Sequence, residues 1–145
     1  MDIVDILLVE DNDADAEICI RTLKKTGLSN LIFRVKDGLQ ALDFLFATTA
    51  YSYRKIENVP KLIILDLTMP NIDGLSVLKV IRGDDRTLKI PVVVFTASAE
   101  AEDEAKCREL GVSRYIQKPI ESAEFAKVVD EIGRYWLSPD KILNE

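Results

Sequence analysis

Five short apolar segments, each followed by a stretch with helical periodicity, constrain the fold of this chain more than any other feature. The segments are ILLV (6–9), LIFRV (31–35), KLIILDL (61–67), PVVVFT (91–96) and SRYIQ (113–117). Continuous apolar runs of this length are typical of strands that helices cover on both faces of a parallel sheet. The alternation therefore predicts an α/β fold, a (βα)5 doubly wound parallel five-stranded sheet with right-handed crossovers.

The stretches between the strands predict amphipathic helices and a single domain. The last helix covers 121–136, and Gly27, Gly83 and Gly111 each follow a helical stretch as stop signals. Pro139 interrupts the last helix, so we expect a domain over 1–137 and a short C-terminal extension over 138–145. The long connection 48–60 lies at the amino ends of the strands, where packing or docking is expected rather than chemistry.

Composition excludes several classes of function. The formal net charge is −6, which opposes binding to nucleic-acid phosphates. The sequence contains no histidine, so histidine-dependent catalytic triads and histidine metal ligands are excluded. Cys19 and Cys107 form no CxxC pair, no apolar run approaches a membrane span, and no signal peptide is visible. A soluble, reduced, cytoplasmic protein is expected.

Polar residues follow four of the five predicted strands at the point where each strand ends. They are Glu10 and Asp11 after the first, Asp66 in the third, Thr96 in the fourth and Lys118 after the fifth. In open parallel sheets, ligands bind outside the carboxyl ends of the strands. Each residue alone is compatible with a turn, a helix cap or a solvated surface, but the combination predicts a site.

Three carboxylates at one sheet edge need a compensating positive charge. Two unit charges about 4 Å apart repel by roughly 4 kcal/mol at an effective dielectric of 20. Lys118 supplies one positive charge, and Mg²⁺ is the cation that suits one or two carboxylates plus phosphate oxygens. A cation, a lysine and a hydroxyl around Asp66 predict that this carboxylate accepts a phosphoryl group as an acyl phosphate.

The chain resembles the receiver domain of two-component response regulators over about residues 4–132. The motifs are LLVEDN (7–12), LIILDLTMPNIDGL (62–75), VVVFTAS (92–98) and YIQKP (115–119). The resemblance implies a flavodoxin-like sheet of order 2-1-3-4-5 and Asp66 as the phosphoacceptor. It also implies a Mg²⁺ site formed by Asp11, by Glu10 through water, by Asp66 and by the backbone carbonyl of Thr68.

The resemblance implies further roles around the acceptor. Lys118 and Thr96 would contact the phosphoryl group, and the small Ala97 would keep the site open. Tyr115 would be an aromatic switch, although an ordinary half-buried strand aromatic is the alternative. The resemblance also implies a tight backbone turn at Gly74 and a cis bond before Pro119. It further implies that Thr68 and Ser98 tune dephosphorylation.

Phosphorylation is expected to switch the surface formed by helix 4, strand 5 and helix 5, through which the protein would act on other proteins. The implied partners are a sensor histidine kinase or histidine phosphotransfer protein upstream and a protein target downstream, with no nucleic acid or membrane. The C-terminal GRYWLSPDKIL (133–143) is similar to single-domain regulators paired with phytochromes. Tyr135 and Trp136 could form a homodimer contact or pack internally.

Two other functions remain open at the level of sequence. One is a Mg²⁺-dependent aspartyl phosphatase, which would want a second acid where Thr68 stands. The other is a receiver-like binding module that works without phosphorylation. A flavin carrier on a similar fold is disfavoured because the acidic run 10–13 would repel a flavin phosphate.

Overall fold

The five predicted strands are present in the computed structural model, which describes residues 3–27 and 31–137. They are β1 (Ile6–Val9), β2 (Ile32–Val35), β3 (Leu62–Leu65), β4 (Val92–Thr96) and β5 (Arg114–Gln117). All neighbouring strands are parallel, and their order is β2-β1-β3-β4-β5. The predicted doubly wound, flavodoxin-like α/β fold is confirmed.

A helix follows each strand, as the periodicity predicts. The helices are α1 (Asp13–Lys25), α2 (Gly38–Leu45), α3 (Gly74–Arg82), α4 (Ala101–Glu109) and α5 (Ser122–Leu137). Gly27 and Gly111, which follow α1 and α4, have φ angles of 70° and 71°, in the left-handed region that favours glycine. None of the helices in the described ranges is long and apolar enough to cross a membrane. The predicted extension over 138–145 lies outside these ranges.

The sheet is covered by a hydrophobic core on each face. Alternate strand residues point to opposite faces, so Ile6 and Leu8 pack toward α1 and α5, while Leu7 and Val9 pack toward α2 and α3. β1, β3 and β4 are buried along their whole lengths. Because both faces are filled, polar chemistry is confined to the loops at the strand ends.

The connection between α2 and β3 is held by a buried arginine. The guanidinium of Arg54 lies 3.8 Å from the centroid of the Phe44 ring. It donates hydrogen bonds to the carbonyl oxygens of Phe44 and Asn58. A short 3-10 helix, Thr49–Tyr51, places the Tyr51 ring 5.3 Å from the same phenylalanine. The connection serves packing at the amino ends of the strands, away from the predicted site.

Candidate functional site

Backbone hydrogen bonds bring the carboxyl ends of the central strands side by side. The N–H of Asp66, just after β3, donates to the carbonyl of Val9 in β1 (3.1 Å). The N–H of Lys118, just after β5, donates to the carbonyl of Thr96 in β4 (2.7 Å). The five predicted polar residues thus lie at strand ends along one edge of the sheet, as the topology requires.

Lys118 is the centre of an ion-pair cluster. Its Nζ lies 2.8 Å from Asp66 Oδ2, 2.7 Å from Glu10 Oε1 and 2.9 Å from Asp15 Oδ2. Burial acts to lower the pKa of Lys118, but the hydrogen bonds to the three carboxylates outweigh burial and raise the pKa above its ordinary value. The lysine therefore stays charged and donates all three of its ammonium hydrogens within the cluster.

The carboxylates of Glu10, Asp11 and Asp66 form the acidic pocket predicted from the sequence. One oxygen from each lies within 4.8 Å of the others. Glu10 and Asp66 are buried, whereas Asp11 is exposed at the rim. With Asp15 included, the site holds four carboxylates and one ammonium, so the cluster keeps excess negative charge. Hard oxygen donors with unbalanced charge fit a divalent cation such as Mg²⁺.

Burial has a large effect on Glu10. Its side chain is 2% exposed, and burial raises the pKa of its carboxyl from 4.5 to about 7. The hydrogen bond from Lys118 lowers this pKa, but less than burial and the nearby Asp66 charge raise it. A carboxyl that titrates near neutrality must lose its proton before it can bind a cation.

The backbone after β3 also contacts the candidate acceptor. The N–H of Thr68 donates to Asp66 Oδ1 (3.2 Å), so both carboxylate oxygens of Asp66 have donors. The Thr68 side chain is exposed. A cation ligand at the Thr68 carbonyl, and tuning of dephosphorylation by the Thr68 side chain, stay predictions.

The predicted switch residues Thr96 and Tyr115 are connected through Ser98 in the β4–α4 loop. Thr96 is buried, and its hydroxyl accepts a hydrogen bond from the N–H of Ser98 (3.3 Å). Tyr115 is half-buried, and its hydroxyl donates to the carbonyl of Ser98 (3.0 Å). The Ser98 hydroxyl donates to Asp103 in α4 (2.8 Å). Movement of this loop would therefore affect Thr96, Tyr115 and helix α4 together.

Gly74 has a role in the site that depends on close packing rather than on an unusual φ angle. Its N–H donates to the carbonyl of Leu67 (3.0 Å). A Cβ here would overlap the carbonyl oxygen of Asp66 and lie 2.6 Å from Leu67 Cα. The absence of a side chain lets the start of α3 approach the end of β3.

The predicted cis bond before Pro119 is wrong, because the structure contains no cis peptide bond in the described ranges. Lys118 reaches Asp66 from a trans bond, which for residues before proline is favoured by about 0.5–1 kcal/mol. Ala97 is exposed and, with Lys118, Pro119 and Asp15, lines a groove of about 250 Å³. A larger residue than alanine would narrow this opening.

Asp15 is the member of the cluster that the strand-end rule does not identify. It lies in the first turn of α1, and its N–H donates to the side chain of the helix cap Asn12 (2.9 Å). The available signal is positional, because the first turn of a helix that starts just after β1 lies at the same sheet edge. Arg34 of β2 also contacts this loop and is not evident from the sequence pattern.

Comparisons with curated proteins give relatives of similar length. The chain is 37% identical over 134 residues to the response regulator Rcp1 of Synechocystis sp., covering 91% of this chain and 88% of that protein. It is 36% identical over 132 residues to the probable methanogenesis regulatory protein FilR2 of Methanothrix harundinacea, covering 91% and 83%.

Solved structures give the same result. A crystal structure of the Mn²⁺-bound form of Rcp1 has a TM-score of 0.87 and 35% identity, covering 92% of this chain and 94% of the other. The phosphorylated cyanobacterial phytochrome response regulator RcpA has a TM-score of 0.87 and 33% identity, covering 94% and 95%. The family model for the response regulator receiver domain matches residues 6–130. This chain therefore belongs to the response regulator receiver domain family of two-component signalling.

Proposed function

We propose that this protein is a phosphoacceptor switch that receives a phosphoryl group on Asp66 from a histidine kinase or a histidine phosphotransfer protein. The observation that carries the proposal is the contact between Lys118 Nζ and Asp66 Oδ2 at 2.8 Å, inside a pocket that also holds Glu10 and Asp11. A carboxylate in this setting can act as a nucleophile, because a fixed ammonium offsets charge on an incoming phosphoryl group.

The transfer step balances as a displacement at phosphorus. A carboxylate oxygen of Asp66 forms the new O–P bond with an electron pair, and the P–N bond to the donor imidazole breaks. The imidazole nitrogen keeps the pair from the broken bond and takes a proton from solvent. When bound by Glu10, Asp11, Asp66 and the Thr68 carbonyl, Mg²⁺ supplies positive charge that stabilises the phosphoryl oxygens. Lys118 supplies a further, permanent positive charge.

The proposed switch uses the Thr96 hydroxyl. No acceptor for its proton is found among the residues that the structure describes, so the hydroxyl can donate to a phosphoryl oxygen. Such a bond would exist only after transfer, and it therefore favours the arrangement of the β4–α4 loop that permits it. Ser98 lies in this loop, and Tyr115 is hydrogen-bonded to it, so both would move with the loop. Their movement would connect the phosphorylation site to the surface of α4, β5 and α5.

The structures of two relatives support cation binding and phosphorylation at the acidic pocket. The Rcp1 structure is of a Mn²⁺-bound form, and the RcpA structure is of a phosphorylated protein. Both structures have a TM-score of 0.87 with this chain. By analogy, we infer a divalent cation and phosphorylation for the acidic pocket here, with autocatalytic phosphotransfer and self-dephosphorylation as the only catalytic activities. A cytoplasmic location fits the proposed histidine kinase or histidine phosphotransfer protein as phosphoryl donor.

A small phosphodonor tests the proposal. Incubation of the protein with acetyl phosphate and Mg²⁺ should add one phosphoryl group, which is labile to alkali and hydroxylamine. The group should be absent from Asp66→Asn and after chelation of the metal. Asp85→Asn, an exposed aspartate at the amino end of β4, is the matched control and should be modified like the wild type. Unmodified wild-type protein, or continuous release of phosphate from many substrates, would contradict the proposal.

We also propose that the α4–β5–α5 surface forms a homodimer and contacts the downstream protein. Tyr135 is 59% exposed, and its ring lies 4.9 Å from that of Trp136. Together with Arg114, Ile116 and Val128, these rings line a groove of about 210 Å³. The first turn of α4 is acidic, whereas Arg114 lies exposed on neighbouring β5, so a second copy offers complementary charge.

A further inference from the structure

Arg34 of β2 holds the backbone that carries the acidic pocket. It lies opposite Leu8 of β1 in the sheet register, and its Nε donates to the carbonyl oxygen of Glu10 (2.9 Å). Its Nη1 forms an ion pair with the exposed Asp13 carboxylate (2.8 Å). The N–H of Glu10 in turn donates to the carbonyl of Val35 (3.1 Å). Both backbone polar groups of Glu10 are therefore held by β2.

The carbonyl that Arg34 binds belongs to the peptide between Glu10 and Asp11. Because a peptide unit is planar, fixing its carbonyl also fixes the plane in which the two flanking Cα atoms lie. Those two residues supply two of the three carboxylates in the pocket. Among the described residues, Arg34 thus forms no hydrogen bond or ion pair with a pocket carboxylate, yet it constrains the orientation of two of them.

An arginine at this strand position has an energetic cost. Its side chain is 17% exposed, and its Nη2 is buried with no hydrogen-bond partner among the described residues. An unsatisfied buried donor costs about 1–3 kcal/mol. An apolar β-branched residue would fill a strand position beside Leu8 without this cost. The arginine is therefore better explained by its contacts with the β1–α1 loop than by packing.

We propose that Arg34 is a positioning residue for the cation site, which orients the Glu10–Asp11 peptide so that both carboxylates face the same cation. This inference rests on the proposed function, because it takes the pocket to bind a divalent cation. The charge of Arg34 acts in the opposite direction, since a guanidinium repels a cation. Positioning and charge therefore predict opposite effects when the charge is removed.

Calorimetric titration of the full chain with Mg²⁺ in mildly alkaline buffer separates the two effects. Arg34→Lys keeps the charge but loses the planar guanidinium, and it should bind Mg²⁺ at least about 10-fold more weakly, the range for groups that orient a ligand. Arg34→Met should also bind more weakly, although its repelling charge is gone. Arg21→Lys, the same change in an exposed ion pair of α1, is the matched control and should keep wild-type affinity.

Amide hydrogen exchange in metal-free protein provides a readout that does not depend on the cation. The N–H of Asn12 donates to Glu10 Oε2 (3.2 Å), so its exchange reports the order of this loop. Arg34→Lys should increase exchange at Asn12 but not at Ile64 in the buried strand β3. Wild-type Mg²⁺ affinity and exchange in Arg34→Lys, or tighter binding in Arg34→Met, would overturn this inference alone. Wild-type protein that bound no Mg²⁺ would overturn the proposed function with it.

Discussion

The ammonium of Lys118 lies 2.9 Å from the carboxylate of Asp15, in addition to its contacts with Glu10 and Asp66. Asp15 is not one of the three acids whose oxygens cluster in the pocket. It therefore offers Lys118 a partner that a bound cation would not share. This arrangement would keep the lysine anchored if the other two carboxylates turned toward a cation or if Asp66 were phosphorylated, as proposed above.

Removal of the Lys118 charge should destabilise the metal-free protein. The Lys118 side chain is 8% exposed, and Lys118→Met would leave buried Glu10 and Asp66 without their common partner. Loss of one member of a buried ion pair costs about 3–5 kcal/mol, because the remaining charge is uncompensated. We expect a loss of this order in the free energy of unfolding, measured with urea in the presence of a chelator, and partial recovery when Mg²⁺ replaces the chelator.

Lys106→Met is the matched control for this measurement. Lys106 pairs with Glu102 on the surface of α4, and its side chain is 48% exposed. An exposed pair of this kind contributes little to stability, because water and salt screen the two charges. Equal destabilisation by the two variants would show that the cluster around Lys118 is no more important for stability than a surface ion pair.

The Mg²⁺ affinity of the protein should fall with decreasing pH near neutrality. Burial raises the pKa of Glu10 to about 7, and only the deprotonated carboxyl binds a cation. Affinity should therefore be nearly constant above this pKa and fall by up to about tenfold per pH unit below it. Calorimetric titration across this range measures the profile. A profile that stays flat through neutrality would contradict the raised pKa.

The raised pKa of Glu10 affects stability in the opposite direction, because stability should fall with rising pH whereas Mg²⁺ affinity should increase. The folded protein holds the Glu10 proton more tightly than the unfolded chain, whose pKa is the ordinary 4.5. The contribution of Glu10 to stability is therefore full below about pH 4.5 and is lost as pH rises through 7. Glu10→Gln should remove this dependence, whereas Glu102→Gln, which changes an exposed acid, should keep it.

The fold could be predicted from the sequence because the alternation of apolar runs and helical stretches indicates each strand and helix directly. β1, β3 and β4 are buried on both faces, and a strand buried in this way must be apolar throughout, so its position is visible in the sequence. The convergence of Glu10, Asp66 and Lys118 follows from the same reasoning, since parallel strands bring their carboxyl ends to one edge. The strand order came from the family resemblance, because periodicity does not specify it.

The contacts missed by the sequence analysis are those that depend on side-chain reach. Asp15 and Arg34 lie inside an element rather than at a strand end, and only the packing of α1 and β2 beside the β1–α1 loop brings them to the pocket. The cis bond predicted before Pro119 came from resemblance alone, and the structure has a trans bond there. Local sequence does not determine which isomer is adopted, because the two differ by only about 0.5–1 kcal/mol.

A side chain at Gly74 should damage both stability and the site. Its Cβ would overlap the Asp66 carbonyl oxygen, and backbone atoms cannot rotate away as a flexible side chain can. We expect Gly74→Ala to lower the free energy of unfolding by about 1–3 kcal/mol and to weaken Mg²⁺ binding, because the end of β3 must shift. In the control Gly83→Ala, the added Cβ would crowd the Lys79 carbonyl oxygen at 3.2 Å. Gly83 follows the carboxyl end of α3, at the opposite end of the helix from Gly74, so the effect of this change on Mg²⁺ binding should be negligible.

The homodimer is tested by the exposed aromatic at the end of α5. Tyr135 is 59% exposed, so Tyr135→Asp should leave the fold intact but place a charge in the proposed contact. Tyr53, in the connection before β3, is 57% exposed, which makes Tyr53→Asp a control of equal chemistry on another surface. By light scattering, the wild type and Tyr53→Asp should have twice the 16.3 kDa chain mass, and Tyr135→Asp should have the chain mass.

Truncation provides a second measure of the same contact. A chain ending at residue 133 lacks both Tyr135 and Trp136, and it should also be monomeric. If the wild type has the chain mass with and without acetyl phosphate, the surface does not form a homodimer, and the packing of the partly buried Trp136 against the cluster that includes Ile132 is sufficient to explain this residue. If Tyr135→Asp keeps the dimer mass, the interface lies elsewhere. A dimer that forms only with acetyl phosphate and is lost in Asp66→Asn would connect this surface to the acceptor site.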